Sequence, residues 1–384
     1  MNVLCILSSF PGHIDFGGKG FLRVAEQLKA MGHRVTWLSS SSHTRALSDK
    51  GFAVVSEPDA DMLRLHPFLS TEEVAHHPEE YSARLRCLSG LLSLLRRMRP
   101  DIVLLDRALP LAQLATGTAG IPCVAIGTPG GHWEKNRREG VAPRSGPIAA
   151  YLEVGESIRK SLGWPSGEIS SFWANSDNLN ICFMGQPFYQ AVACNKATAA
   201  FVHHFSRPAD RGLRSTFGVS FGNSGAPQPL VLVMQCLISQ GPADGAIDVF
   251  VGNRAQLASM LKRNFGRRIR VHGWVDFSDH FPSLSGLAFL GGVGTIWQCI
   301  NHGVPMLVVP SITGDQMTNG EAVHRLGVGE VIAADDTRDP RAVVEKANRL
   351  VGEGAYLRQI EECKREVYYT DTMQTLASRL EDIG

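Results

Sequence analysis

Residues Leu287–Asn319 read LAFLGGVGTIWQCINHGVPMLVVPSITGDQMTN, and this stretch decides the fold of the chain. Its first four residues form a short apolar run of the kind found in buried parallel strands. The glycine-rich turn Gly291–Thr295 follows, and Ile296–His302 has the length of a helix of about two turns. Gly303 is a common helix-ending residue, and Val304–Pro310 predicts the next strand. The stretch therefore predicts a strand–helix–strand unit of an open α/β sheet.

The glycine-rich turn has the chemistry of a phosphate-binding site. Its backbone N–H groups lie at the positive end of the predicted helix, where an anion binds without a charged side chain. After the next strand we expect a polar loop that holds Asp315 and Gln316. Ligands of open α/β sheets bind beyond the carboxyl ends of the strands. One site would hold a diphosphate at Gly292–Thr295 and a hydroxyl-rich group at Asp315 and Gln316, which predicts a nucleotide-sugar as the ligand.

Length and composition indicate two domains and exclude some partners. The chain has 384 residues, which suits two domains of ordinary size, and 44% of them are apolar, enough for sizeable cores. The 38 Lys and Arg residues nearly balance the 37 Asp and Glu residues, so there is no electrostatic case for nucleic acid or an anionic membrane. No apolar run approaches the roughly 18 residues that span a bilayer.

The N-terminus and the cysteines predict a cytoplasmic protein with reduced thiols. The chain enters a strand at Val3–Ser8 without a basic leader or a cleavage site, so we expect no signal peptide. The eight cysteines form no CxxC pair and show no regular spacing. Cys5, Cys123 and Cys236 lie in apolar contexts, as buried free thiols do.

The N-terminal half alternates predicted strands and helices, which is typical of a doubly wound parallel sheet. Strands are expected at 2–9, 34–39, 51–56, 102–106, 123–127, 179–183 and 201–205, and helices at 21–31, 79–98 and 111–119. The polar segment 206–213 contains Pro208 and Gly212 and is the predicted interdomain linker.

The C-terminal half repeats the alternation. Strands are expected at 217–221, 247–251, 269–273, 287–290 and 304–310. Helices are expected at 230–239, 255–264, 296–302, 321–326, 340–352 and 355–380. The two halves together predict an α/β protein with two open parallel sheets.

The motifs GGVGT and GVP, followed by Asp315-Gln316 and Asn319, resemble the donor-binding signature of the family 1 glycosyltransferases. The resemblance implies the GT-B fold, in which two Rossmann-like doubly wound domains face each other across a cleft. It implies an acceptor-binding N-terminal domain at 1–205 and a nucleotide-sugar-binding domain at 206–360. A C-terminal helix within 361–384 would pack back on the N-terminal domain.

The resemblance also implies the donor site, with two departures. The family has a His that touches the diphosphate where this chain has Leu290, and a Glu that holds the ribose hydroxyls where it has Gln298. Trp274 matches the tryptophan that stacks on the base. The implied donor-binding residues are Gly222, Asn223, Trp274, Val275, Leu290, Gly292, Val293, Gly294, Thr295, Gln298, Asp315 and Gln316.

The catalytic base should be a histidine, since its pKa lies near neutrality. The resemblance implies that this residue follows the first strand. His13, in Phe10-Pro11-Gly12-His13, fits the Gly-His pair of the family. Its loop is about four residues longer than usual for the family, and ungapped counting places the base position at Gly17. Asp106, at the end of a predicted strand, matches the carboxylate that orients the base, with Asp15 as a rival nearer in sequence. Lys19 is a further candidate for a phosphate contact.

The irregular segment Thr128–Gly167 is the candidate acceptor region, because long irregular segments in compact domains often bind ligands. The predicted acceptor contacts are His132 and Trp133, and a half-buried turn is an equal alternative for them. The charged run from Glu134 to Glu139 keeps a hydrophilic acceptor open.

We therefore expect an inverting glycosyltransferase that moves a sugar from a UDP- or dTDP-sugar to a hydroxyl of a small molecule, such as a natural product or antibiotic. The alternatives are a catalytically silent nucleotide-sugar-binding auxiliary protein and a nucleotide-sugar epimerase on the same fold. No cofactor beyond the nucleotide-sugar and no metal is expected. We expect no nucleic acid partner and no membrane span, and a homodimer is left open.

Overall fold

The structure is a computed structural model. It describes residues 1–7, 20–39, 41–55, 78–107, 109–127, 176, 178–182, 199–201, 214–222, 227–240, 247–310, 314–333, 335–367 and 373–384. The chain divides into two compact units. Unit 1 comprises 1–183, 192–202 and 371–384, and unit 2 comprises 184–191 and 203–370. The predicted C-terminal segment 361–384 is thus shared between the two units.

Unit 1 is a doubly wound α/β unit, as predicted. Its elements in chain order are β1 (Asn2–Ile6), α1 (Gly20–Ala30), β2 (Arg34–Leu38), α2 (Ser41–Asp49), β3 (Ala53–Val55), α3 (Pro78–Met98), β4 (Ile102–Asp106), α4 (Pro110–Thr118), β5 (Cys123–Ile126), β6 (Leu179–Cys182) and β7 (Ala199–Phe201). The strands pair in parallel in the order β3-β2-β1-β4-β5-β6-β7. The direction of winding therefore reverses between β1 and β4.

Unit 2 repeats this topology with six strands. Its elements are β8 (Thr216–Ser220), α5 (Gln228–Gln240), β9 (Ile247–Phe250), α6 (Ala255–Phe265), β10 (Ile269–His272), α7 (Phe277–His280), β11 (Leu284–Phe289), α8 (Val293–His302), β12 (Met306–Val308), α9 (Gly314–Arg325), β13 (Gly329–Val331), α10 (Pro340–Gly352) and α11 (Gly354–Val367). The parallel order is β10-β9-β8-β11-β12-β13, so the reversal falls between β8 and β11.

The core of unit 1 has two layers because side chains alternate along each strand. Val3 and Cys5 of β1 pack on the side of α1, whereas Leu4 and Ile6 pack on the side of α3 and α4. The last helix of the chain, α12 (Met373–Ile383), belongs to the first layer, where its Leu380 is fully buried. The sheet is thus covered on both faces, as all-parallel sheets usually are.

Several element predictions were wrong in extent. Asp315 and Gln316 lie in the first turn of α9 and not in a loop. The prediction missed this turn because it is polar and shows no apolar periodicity. The helix predicted at 355–380 is described as two helices, α11 and α12. The short elements α2 and β13 were missed because neither carries a strong apolar pattern.

Candidate functional site

The predicted glycine residues of unit 2 flank the point where its strand order reverses. Ser220 at the end of β8 lies opposite Phe289 at the end of β11. Two residues further on, Gly222 has a φ of 57° and Gly291 a φ of 94°, backbone conformations that favour glycine. Such a switch point opens a crevice at the carboxyl edge of the sheet, the usual ligand position in open α/β folds.

Helix α8 presents its N-terminus at this crevice. Gly292 is its N-cap residue, and the carbonyl oxygen of Gly292 accepts hydrogen bonds from the N–H groups of Thr295 and Ile296, each at 3.1 Å. Gly292 makes no side-chain cap hydrogen bond, and a Cβ built on it meets no atom of the described residues within 4 Å. The first N–H groups of a helix lack intrahelical acceptors, and they carry the positive end of its dipole. The arrangement can bind an anion through the backbone.

The glycine turn is held directly against the start of α9. The Asn319 side-chain amide donates a hydrogen bond to the carbonyl oxygen of Gly291 at 2.9 Å. A Cβ on Gly291 would lie 3.0 Å from the Gln316 carbonyl oxygen and 3.0 Å from Cγ1 of Val308, so glycine allows this approach without strain. Gln316 and Asn319 are each 6% exposed. The structure therefore joins the two halves of the signature predicted from the sequence.

Gln298 shares a face of α8 with the glycine turn. It follows Gly294 by four residues and Thr295 by three, the spacings that stack side chains on one side of a helix. All three residues are half-buried. The Oε1 atom of Gln298 is buried, and no donor lies within hydrogen-bond distance in the described part of the chain. An unsatisfied buried acceptor costs about 1–3 kcal/mol, which a ligand hydroxyl would recover.

Leu290 is placed in the core of unit 2. Its side chain is 5% exposed and packs in the same apolar cluster as Val219 and Ala288. This follows from strand alternation, because Ala288 and Leu290 point to the same face. The placement does not support the predicted donor contact, since an apolar buried side chain offers a diphosphate no hydrogen bond.

Trp274 stands at the carboxyl end of the edge strand β10. Its side chain is 70% exposed, and its neighbour Val275 is half-buried. An exposed tryptophan is unusual, because its large apolar surface is normally buried. Three strand spacings of roughly 4.8 Å separate β10 from β11, so the two strand ends lie about 14 Å apart. An exposed aromatic surface and an anion-binding turn thus lie along one edge of the sheet.

A polar and aromatic cluster supports the end of β10, and the sequence analysis did not identify it. The Asp248 carboxylate accepts hydrogen bonds from Nε and Nη2 of Arg270, both at 2.8 Å, and lies 2.8 Å from Nε2 of His272. The His272 ring stacks on Phe250 at 5.1 Å and lies 4.6 Å from the ring of His280. Burial opposes ionisation of Asp248, but the hydrogen bonds outweigh it and lower the pKa of the carboxyl. Only the pairing of neighbouring strands reveals this cluster.

The switch point of unit 1 places Asp106 as predicted, beside the end of β1. Ile6 of β1 lies opposite Leu105 of β4, and Asp106 is the last residue of that strand. Asp106 is fully buried, and its carbonyl oxygen accepts a hydrogen bond from the N–H of Leu109 at 2.9 Å. The partner proposed for it, His13, lies outside the described residues, so the pair stays a prediction. Asp15, Lys19, His132, Trp133 and Asn223 also lie outside the described residues.

Arg107 is a second residue that the sequence analysis missed at this edge. It follows Asp106 directly and is 3% exposed, which is rare for an arginine. Its Nη2 donates a hydrogen bond to Oδ1 of Asn180 at 3.0 Å, and Nδ2 of Asn180 donates to the carbonyl oxygen of Ser176 at 2.6 Å. A consecutive Asp–Arg pair at the end of a strand is the signal that could have found it.

Comparison with known proteins supports this reading of the second unit. Residues 243–383 match the family model described as "Erythromycin biosynthesis protein CIII-like, C-terminal domain". Aclacinomycin-T 2-deoxy-L-fucose transferase of Streptomyces galilaeus is 25% identical over 131 residues, which are 34% of this chain and 29% of that protein. An undecaprenol N-acetylglucosamine transferase of Limosilactobacillus fermentum, which uses UDP-N-acetylglucosamine, is 23% identical over 307 residues, or 77% of each chain.

Solved structures match the chain over its whole length. The glycotransferase of kitacinnamycin superposes with a TM-score of 0.73 at 19% identity, covering 100% of this chain and 98% of that one. Glycosyltransferase VinC in complex with dTDP gives 0.69 at 18% identity, with 100% and 99% covered. Spinosyn rhamnosyltransferase SpnG complexed with thymidine diphosphate gives 0.68 at 16% identity, with 99% and 100% covered.

The solved structures show that the chain has the fold of the GT-B glycosyltransferases, and residues 243–383 match the family model named above. This confirms the fold class and the resemblance predicted from the sequence. No helix among the described residues is long and apolar enough to cross a membrane.

Proposed function

We propose that the chain transfers a sugar from a nucleotide-sugar to a hydroxyl of a small natural-product acceptor, with inversion at the anomeric carbon. The observation that carries the proposal is the glycine turn at the switch point of unit 2. Gly291 and the start of α8 are held against the start of α9 by Asn319, with polar groups of both helices at one edge of the sheet.

The donor would bind along this edge. The backbone N–H groups at the start of α8 would hold the diphosphate and stabilise the charge that develops on it as it leaves. Asp315 and Gln316 in the first turn of α9 would hold the transferred sugar. Trp274 would stack on the base, since its exposed ring offers an aromatic surface at the same edge.

The transfer itself needs a base. The acceptor oxygen attacks C1 of the sugar, the bond from C1 to the diphosphate oxygen breaks, and the acceptor proton passes to His13. The imidazole suits this role because it changes charge near neutral pH, and Asp106 would orient it. Attack from the face opposite the diphosphate inverts the configuration at C1.

The donor and acceptor classes are supported by relatives. Two of the similar structures hold thymidine diphosphate, and the aclacinomycin enzyme transfers a deoxysugar. We therefore propose a dTDP-sugar donor and a natural-product acceptor, with UDP-sugars as the alternative that the N-acetylglucosamine transferase suggests. We also propose that transfer needs no bound metal, and activity retained in excess EDTA would support this.

The decisive experiment is a transfer assay by mass spectrometry with UDP- and dTDP-sugars and a pooled set of apolar and aminosugar acceptors. We expect transfer by the wild type, its loss in His13→Ala, and full activity in His324→Ala, an exposed histidine of α9. Transfer that survives His13→Ala would move the base elsewhere, with Asp15 the first to test.

A binding protein without turnover is the second candidate. The burial of Leu290 favours it, because the chain lacks at that position a side chain that could contact the diphosphate. This candidate predicts nucleotide-sugar binding with no transfer to any acceptor of the panel, and no effect of His13→Ala on binding.

A further inference from the structure

The Trp274 side chain has no polar or aromatic contact that would fix its position. It is 70% exposed, and no hydrogen bond, ion pair or ring contact reaches it from the described part of the chain. It lies in the irregular segment 273–276, which joins the end of β10 to the start of α7. A free segment of this kind samples many conformations, and ordering it when a ligand binds costs affinity. The position of the indole therefore depends on what holds the two ends of this segment.

The rings of two histidines join these ends. His272 is the last residue of β10, His280 is the last residue of α7, and their ring centroids lie 4.6 Å apart. Both rings pack on Phe250, the last residue of β9. The His272 ring stacks on it at 5.1 Å, and the His280 ring meets it edge-on at 5.6 Å. Aromatic rings at such distances attract each other beyond the area they bury. Side chains thus close the segment 273–276 into a loop.

The first end of this loop is anchored to β9 through both side chain and backbone. Nε2 of His272 lies 2.8 Å from Oδ1 of Asp248. An ionised carboxylate only accepts hydrogen bonds, so Nε2 carries the proton and the ring orientation is fixed. Arg270 holds the same carboxylate with two hydrogen bonds of 2.8 Å. The carbonyl oxygen of His272 also accepts a hydrogen bond from the N–H of Val251 at 3.0 Å.

The second end is anchored by α7 and the residues that follow it. The N–H of Asp279 donates a hydrogen bond to the carbonyl oxygen of Asp276 at 3.2 Å, so the helical turn begins directly after the loop. The Phe277 ring meets Phe250 edge-on at 5.7 Å and stacks on Phe281 at 4.4 Å. Phe281 is fully buried. Fixed ends leave a loop of this length few conformations, so the indole is held ready for a ligand before the ligand arrives.

We propose that His272 and His280 are positioning residues for the nucleotide base, because their ring pair closes the loop that presents the Trp274 indole at the edge of the sheet. The inference rests on the proposed function, in which Trp274 stacks on the base. It adds to that function two residues that act through Trp274 without contact to the nucleotide.

Two ligands separate the base from the rest of the nucleotide: dTDP and 1,2-dideoxyribose 5-diphosphate, which lacks the base. Isothermal titration calorimetry of the full chain gives the Kd of each, and the ratio of the second Kd to the first measures the contribution of the base. Stacking on one aromatic side chain should make this ratio about tenfold or more in the wild type. Trp274→Ala should lower the ratio about tenfold. An unchanged ratio in that variant would overturn the stacking on Trp274 together with this inference.

His280→Ala removes one ring of the pair and leaves the indole itself in place. We expect the ratio to fall about three- to tenfold, because the base must then order the loop. His280→Phe restores an aromatic ring and should keep the ratio within about twofold of the wild type. Phe265→Ala is the matched control, since it removes a half-buried ring that packs on the core of unit 2 before the other end of β10. An equal fall in His280→Ala and Phe265→Ala would indicate a general structural effect and refute the positioning role.

His272→Gln gives a second test that does not depend on the folding of His280→Ala. Glutamine keeps an N–H donor for Asp248 but removes the ring, so the ratio should fall as in His280→Ala. If dTDP does not bind the wild type, the proposed donor site fails. If dTDP binds and Trp274→Ala lowers the ratio, but neither histidine variant does, the donor site stands and the positioning role alone is wrong.

Fluorine NMR follows the indole without any ligand. The chain labelled with 5-fluorotryptophan has six tryptophans, and the resonance of Trp274 is the one that Trp274→Phe removes. We expect the transverse relaxation rate of this resonance to fall in ligand-free His280→Ala, because a released indole moves faster. It should keep its wild-type value in His280→Phe. An unchanged rate in His280→Ala would refute the inference even if that variant bound dTDP more weakly.

Discussion

Replacing Gly291 by alanine should destabilise the glycine turn, whereas the same change at Gly292 should not. Gly291 has a φ of 94°, and a Cβ there would lie 3.0 Å from the backbone oxygen of Gln316 and 3.0 Å from Cγ1 of Val308. Gly292 has a φ of −66°, and its Cβ would meet no atom of the described part of the chain within 4 Å. The two neighbouring residues therefore form a matched pair with opposite expectations.

The magnitude follows from the strain at each position. The left-handed backbone costs a non-glycine residue about 1–3 kcal/mol, and the two close contacts bring the expected loss for Gly291→Ala to about 2–4 kcal/mol. For a unit of this size that corresponds to a fall in Tm of roughly 5–12 °C. Gly292→Ala should change the stability by less than about 0.5 kcal/mol, since its conformation suits alanine.

Two assays separate stability from binding. Thermal unfolding should show a large fall in Tm for Gly291→Ala and almost none for Gly292→Ala. Calorimetry with dTDP should show weaker binding by the stable Gly292→Ala variant, because the new methyl group occupies the approach to the N–H groups of α8. Equal stabilities of the two variants would refute the geometry of the turn, and unchanged dTDP affinity in Gly292→Ala would refute the position of the diphosphate.

Three further predictions concern the support of the site and its response to pH. The Arg214 guanidinium donates hydrogen bonds to the carbonyl oxygens of His302 and Gly303 at the end of α8. Arg214→Ala should lower the free energy of unfolding by about 1–3 kcal/mol and weaken dTDP binding, and Arg214→Lys should keep more of the stability and of the dTDP affinity in unfolding and calorimetry assays. Burial and nearby cations lower the pKa of His302. The unfolded chain therefore binds a proton that the folded chain excludes, and stability should fall as the pH drops below about 6.5. His302→Asn should flatten the plot of Tm against pH from 7.5 to 5, and an equally steep plot would argue against a neutral buried imidazole. Burial and a hydrogen bond to Glu330 raise the pKa of Tyr356 to about 12, so stability should be lost as the pH rises from about 10 to about 12. Tyr356→Phe should be less stable at neutral pH but should lack this alkaline loss in denaturant titrations, and a difference between the wild-type and Tyr356→Phe absorbance titrations that is centred near pH 10 would contradict it.

Much of the fold was predictable because the strands of both units are continuous apolar runs. The run Ile102–Leu105 ends in Asp106, and β4 has these bounds in the structure. The helix at Pro340–Gly352 was also predicted to the residue, since a proline opens it and apolar residues recur on one face. Elements without such patterns, such as the polar first turn of α9, could not be found this way.

The candidate site was predicted only in part, because contacts across strands leave no pattern in a sequence. The turn at Gly291 and the side chain of Asn319 were both identified, but their hydrogen bond depends on β11 and β12 being neighbours. The grouping of Asp248 with His272 depends in the same way on the pairing of β9 with β10. Leu290 was matched to the position at which the family has a diphosphate-binding histidine, but its side chain lies on the core-facing side of the strand and is buried.

The sequence by itself determined the two doubly wound units and the glycine turn, because apolar periodicity and the backbone freedom of glycine are local properties. The tertiary structure alone decided which polar groups meet at that turn. The close approach of Gly291 to Gln316 and the buried Oε1 of Gln298 both arise from packing between elements distant in the chain. Packing of that kind depends on how the strands are ordered in the sheet, which no single segment encodes.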